Sequence, residues 1–203
     1  KALAVEGTRL FAGGTFSSVG GAPRTLLAAV DTTTRQLLPF APLIEAQTVF
    51  AQVTALHADA GRLFLGGGFD VVNGSARGSL AAVDTASGAL LAWAPGAITG
   101  DVFRGIASIV TAAGRVWVGG RFSAVGGVPR TGFAVFDETT AALTAIDPTP
   151  DQPTNRLSLD DGYLYVQGDW DRFGGLVRPR IARLDPQTGV VDPAWQFTYP
   201  GVG

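Results

Sequence analysis

The chain contains no cysteine and no methionine, and it has one histidine and one lysine. Without cysteine, neither a disulfide framework nor a thiolate metal site can form, and the redox compartment stays open. Charged residues make up only 16% of the 203 positions and the formal charge is -2. No global field therefore draws the chain to nucleic acid or to an anionic membrane. No apolar run reaches the roughly 18 residues of a membrane helix, so membrane insertion is not expected. No signal-peptide pattern is visible, and no stretch keeps a helical period. The missing methionine leads to the expectation that the chain begins after processing or is a portion of something longer.

What is abundant is glycine (28 residues) and a 46% share of apolar side chains, which together suit many short buried strands joined by turns. One passage organises the rest: Val116-Trp117-Val118-Gly119-Gly120-Arg121-Phe122, followed by Gly126-Gly127-Val128-Pro129-Arg130. It recurs around Gly13, Gly14, Phe16 and Arg24, and around Gly66, Gly67, Phe69 and Arg77. A worn copy carries Gln167, Gly168, Trp170 and Arg178. The glycine-pair anchors Gly13, Gly66, Gly119 and Gln167 are spaced by 53, 53 and 48 residues. The aspartates Asp31, Asp84, Asp137 and Asp185 keep the same three spacings. Two anchors in one register establish an internal repeat.

Each repeat reads as four antiparallel strands. In the second, Val53–His57, Arg62–Gly66, Ser79–Val83 and Ala89–Trp93 are the strands. A long glycine-rich connection lies between the middle two, and an Asx-type turn begins at Asp84. A four-stranded unit of roughly 50 residues predicts an all-β fold of β-propeller blades. The repeat boundaries fall at approximately 1–42, 43–95, 96–148 and 149–197. Four blades could close a small ring. The chain instead starts at a first strand and ends past a fourth, with no shared blade and no end repeat more polar than the others. Part of a larger propeller is the expectation.

The combination of a strand, Gly-Gly-x-Phe, a Val-Gly-Gly-x-x-Arg connection and an Asp-x-x-Thr/Ser-Gly hairpin resembles the delta-60 repeat family, with Leu184 to Pro193 the nearest stretch. The Asp84 to Trp93 segment is more weakly similar to quinoprotein repeats, as is the whole to kelch-type propeller repeats. The resemblance implies a propeller-like architecture in a secreted or surface-attached bacterial protein, extracellular or at the cell surface. It implies no common catalytic motif.

The candidate sites follow from the repeat. Phe16, Phe69, Phe122 and Trp170 recur once per unit and are expected to pack between sheets rather than stack on sugars. The glycine pairs are expected to supply positive φ and close approach. Arg24, Arg77, Arg130 and Arg178 form an arc that could bind carboxylates or acidic glycans. They could equally pair with Asp31, Asp84, Asp137 and Asp185 or with loop carbonyls, which recurrence favours. Asp169 and Asp171, with the turn residues Asp160 and Asp161, are the concentrated carboxylates, a candidate calcium site or acid/base pair. No metal-loop pattern accompanies them. His57 has no nucleophile motif beside it, and Ser17, Ser18 and Ser123 sit in no strand-Ser-helix elbow. No cofactor, no metal and no catalysis are expected. The expected function is a non-catalytic module that presents one propeller face to a protein or glycan, and that contacts further blades of its own chain or a second copy. The alternative is a structural segment of a filament, adhesin or larger assembly. An enzyme using the fourth-repeat carboxylates is the weakest reading.

Overall fold

The computed structural model describes residues 1–47, 51–100 and 105–197. Strands are the only regular elements among them, and four three-stranded antiparallel sheets carry the repeat. The inner strands are Ala2–Glu6, Gln52–Asp59, Ile106–Ala112 and Thr154–Asp160. The middle strands are Arg9–Gly13, Arg62–Gly68, Arg115–Gly120 and Tyr163–Gly168. The outer strands are Leu27–Asp31, Leu80–Asp84, Phe133–Asp137 and Ile181–Leu184. The register is the same in each unit: Gly13 lies opposite Leu27 and Gly119 opposite Phe133.

The expected fourth strand is smaller than the sequence suggests. It is one isolated bridge per unit, Leu37 to Val30, Leu90 to Val83, Leu143 to Phe136 and Val191 to Leu184. Prolines soon afterwards (Pro39, Pro95, Pro148, Pro193) remove backbone donors and end the pairing. The long connections, in turn, are not plain loops. Each folds into a two-residue hairpin, Val71–Val72 with Ser75–Ala76 in the second unit. In the second and third units the incoming linker adds a further strand to that hairpin, at Ile44–Glu45 and Ile98–Gly100.

Local chemistry explains the turns. Asp31 Oδ1 accepts from the backbone N–H of Thr33 and Thr34, at 2.9 and 2.7 Å, and the same bonds recur at Asp84 and Asp137. These donors stabilise the carboxylate, so all three acids titrate below their ordinary range. Four residues after each Asp the chain turns left-handed, at Arg35 (φ 61°), Gly88 (73°), Ala141 (62°) and Gly189 (75°). The first and third units thus make this hairpin without a glycine.

Neighbouring units pack face to face through three apolar cores. In the first, Phe11, Leu27, Ala29 and Phe40 of unit one meet Val53, Leu56, Leu63 and Leu65 of unit two. Units two and three, and three and four, repeat the arrangement. Each fully buried Leu, Val or Phe contributes about 1.5–3 kcal/mol, so these three interfaces are the main stabilising element. The recurring aromatics belong to them, with Phe69, Phe122 and Trp170 all below 5% exposed. Phe16 is only half-buried, for a reason that lies at the end of the array.

The strand-end glycine pairs do not supply positive φ, contrary to expectation; that role falls to the later pairs such as Gly126 and Gly127. Gly13, Gly66 and Gly119 are instead slots for the next unit. A Cβ on Gly66 would lie 2.3 Å from Ile106 Cγ2, and one on Gly119 2.8 Å from Thr154 Cγ2.

Candidate functional site: the axial cleft

The four inner strands line one cleft of about 570 Å³. Lys1 and Leu3 come from the first unit, Thr54 and His57 from the second, Ser108 and Thr111 from the third, and Asn155, Arg156 and Ser158 from the fourth. The lining is mainly polar.

Much of that polarity is already used to join strands. Thr54 Oγ1 donates to the Ile106 carbonyl at 2.5 Å, and Ser108 Oγ accepts from Leu157 N–H at 3.1 Å. His57 Nε2 lies 2.9 Å from Thr111 Oγ1, and that hydroxyl donates to Asp59 Oδ2 at 2.9 Å. A hydroxyl has one proton, so with Thr111 donating to Asp59 it is His57 that donates to Thr111. The imidazole is thereby a strut between two inner strands and not a base that activates a nucleophile.

Burial pushes the His57 pKa below its ordinary value, while Asp59 and Glu138 pull weakly the other way. The unfolded chain then binds the proton more readily than the folded one. The stability that neutral His57 contributes is full above about pH 6.5 and is lost as pH falls through the lowered folded value. Thermal midpoints should therefore fall between pH 7 and pH 5. His57→Gln should flatten that part of the profile, and an unchanged slope would exclude His57 as its source.

The Arg156 side chain is exposed, stands opposite Gln167 on the outward face of unit four and, like that of Lys1, makes no hydrogen bond or ion pair among the described residues. The cleft thus presents two uncommitted cations among hydroxyls and an amide.

The other sequence candidates are placed elsewhere. Arg24, Arg77, Arg130 and Arg178 do recur on one edge, but their guanidinium groups are spent on the fold. Each Nη1 donates to the preceding carbonyl (Pro23, Ala76, Pro129, Val177) at 2.7–2.9 Å. Each Nη2 reaches the carbonyl 14 residues on, at Leu38, Leu91, Thr144 and Asp192, over 2.8–3.3 Å. Among the described residues none pairs with Asp31, Asp84, Asp137 or Asp185, and the one ion pair these arginines make is Arg130 with Asp147 at 3.3 Å. These arginines fasten the hairpin to the vestigial fourth strand, and the carboxylate-binding arc does not form.

Asp169 is held by Arg121 at 2.8 Å and by Asn155 Nδ2 at 2.9 Å, and the buried Trp170 between it and Asp171 turns the two apart. Asp160 ends a strand and Asp161 occupies the turn at φ 46°. No group of three metal-ligating side chains occurs among the described residues. Sequence reasoning missed Arg156 and Asn155, because nothing in a run of strand residues marks the irregularity between Thr154 and Arg156 that brings two successive residues to the cleft.

No protein-family model matches the chain, and no curated protein matches it. Solved structures do. The crystal structure of the computationally designed Ika4 protein superposes with a TM-score of 0.52 at 17% identity, covering 82% of this chain and 83% of that one. That of the computationally designed Ika8 protein gives 0.54 at 15% identity, covering 94% of this chain but spanning only 59% of that chain's length. At these identities the likeness concerns fold alone, and the fold is all-β and β-propeller-like.

Proposed function

We propose that the chain is a non-catalytic propeller-type module of an extracellular or cell-surface protein that binds a carboxylate-bearing glycan or protein segment at its axial cleft. The observation that carries this reading is the uncommitted Arg156 on a polar cleft to which every unit contributes. Elsewhere the recurring polar groups are consumed by turns and struts. A guanidinium binds carboxylate bidentately and through charge-assisted bonds, and the exposed Ser158 hydroxyl beside it suits a hydroxylated ligand. Aromatic stacking is not part of the mode, since the recurring aromatics lie in the interfaces.

The test is calorimetric titration with oligogalacturonate and with poly-glutamate at low salt. Binding of one of them should weaken about tenfold or more in Arg156→Gln, the size of a charged hydrogen bond, and should fall as salt rises. No heat from either ligand would exclude the reading.

A second reading, a structural segment of a larger extracellular repeat assembly, is favoured by one further observation. Leu3 and Val5 of the first inner strand are 67% and 59% exposed.

A further inference from the structure

The two ends of the array are built differently. The three internal interfaces define what each face of a unit requires. On the receiving side the positions equivalent to Leu3 are Leu56, Ile109 and Leu157, and they are 9%, 4% and 5% exposed. Those equivalent to Leu10, namely Leu63, Val116 and Leu164, are completely buried, as are Leu65, Val118 and Val166, equivalent to Ala12. In unit one the set is uncovered: Leu3 is exposed, and Leu10, Ala12, Phe16 and Val30 are only half-buried; Val5 is exposed too, as is its counterpart Leu159 in unit four.

On the covering side, alternate residues of the middle strand point at the next unit. They read Arg9-x-Phe11-x-Gly13, Arg62-x-Phe64-x-Gly66 and Arg115-x-Trp117-x-Gly119. The glycine is the slot already described, and the arginine reaches the next unit's hairpin. Arg62 pairs with Glu138, and Arg115 Nη1 donates to the carbonyls of Pro186 and Gln187 at 3.0 and 2.9 Å. The outer strand adds a small or apolar residue, Ala29, Ala82 or Val135, each fully buried.

Unit four breaks every element of this face. The three positions become Tyr163, Tyr165 and Gln167, and the outer-strand position becomes Arg183. Gln167 is exposed where glycine is required. Arg183 lies 4.1 Å over the Tyr163 ring and 5.7 Å from the Trp195 ring, and it is paired with Asp192. Tyr165 meets Trp195 edge-on at 5.6 Å. This is a self-satisfied polar and aromatic cap. It fills the slot and places a charge where the next unit would bring Leu or Ile.

The geometry points to a polar array: the face around Leu3 and Val5 is a docking surface for another repeat unit whose middle strand reads Arg-x-(Phe or Trp)-x-Gly, while the face around Gln167 and Arg183 terminates the array. This rests on the assembly reading; Leu3 also lines the cleft, so the ligand reading is tested separately, by the Arg156→Gln titration on the otherwise unaltered chain. The occupant is identified by continuity with the three existing interfaces, in which that one face covers these same positions each time. A second copy of the chain cannot supply it, because its outward face is the capped one.

The test rewrites the cap. The variant Arg156→Ala, Tyr163→Arg, Tyr165→Phe, Gln167→Gly, Arg183→Ala gives unit four the face of unit two, since Arg156 stands opposite Gln167 where Ala55 stands opposite Gly66. By light scattering across a concentration series, the unaltered chain should keep the mass of one copy. The variant should grow head to tail into larger species, and adding Leu3→Asp should return it to one copy. A folded variant that stays at one copy would overturn the proposal. So would association of the unaltered chain abolished by Leu3→Asp, which would make a second copy, face to face, the occupant. If the variant does not fold, the unaltered chain is extended at its amino end by a copy of residues 43–95, with and without Gly66→Gln in the added copy. The glycine form should melt higher; equal midpoints would overturn the proposal.

Discussion

Gly120→Ala should lower stability by about 3 kcal/mol or more, measured by urea denaturation with circular dichroism. A Cβ at this position would lie 1.9 Å from the Gly105 carbonyl oxygen and 3.0 Å from its carbon. That carbonyl accepts from Arg121 N–H at 2.8 Å, so it is fixed by the strand pairing and cannot move as a side-chain tip would. Over-packing of a fixed site costs ~1–3 kcal/mol when neighbours can repack, and here a backbone group stands in the way. Two comparisons isolate the cause. Gly14 occupies the same repeat position in unit one, where a Cβ would meet only the Phe16 ring at 3.2 Å and Lys1 Cγ at 3.9 Å, so Gly14→Ala should be mild. Gln167 stands where the slot glycine stands in other units but is exposed, so Gln167→Ala should stay within about 0.5 kcal/mol. Equal effects at Gly14 and Gly120 would contradict the close-approach explanation.

Arg178→Ala should cost roughly 2–3 kcal/mol, by the same denaturation assay. Arg178 is the most buried of the four recurring arginines, 5% exposed, and its guanidinium holds three carbonyls, those of Val177, Asp192 and Pro193. Truncation leaves these acceptors without a donor and removes the link between the last hairpin and the segment after the outer strand. Arg178→Lys should recover only part of the loss, because one ammonium cannot span both sides of a planar fork. If the arginine were a ligand group instead, stability would hardly move in either variant.

The candidate site was less legible than the frame that carries it. Asp31, Asp84 and Asp137 signal their turns directly, since an Asp followed by Thr or Ser two or three residues later can satisfy its own backbone. The fourth strand misled because Ala89 to Trp93 has strand-like composition, whereas pairing stops after a single bridge at Leu90. The end repeats read as no more polar than the middle ones because Tyr163, Gln167 and Arg183 are scattered along the chain among charged turn residues such as Asp169, Asp171 and Arg172. They form one surface only when alternation on two paired strands brings them to the same side.

The amino-acid sequence by itself determined the repeat, its register, the all-β class and the turn chemistry. These depend on spacing and on local hydrogen bonding, both of which are written along the chain. Tertiary structure alone decided what the recurring residues face. It sent the arginines to carbonyls 14 residues on, turned the first glycine pairs into slots for a neighbour, and set Arg156 at the cleft. It also left one end of the array apolar and sealed the other. Which side of a sheet meets another sheet is a property of the packed units, and no single unit carries that information in its own residues.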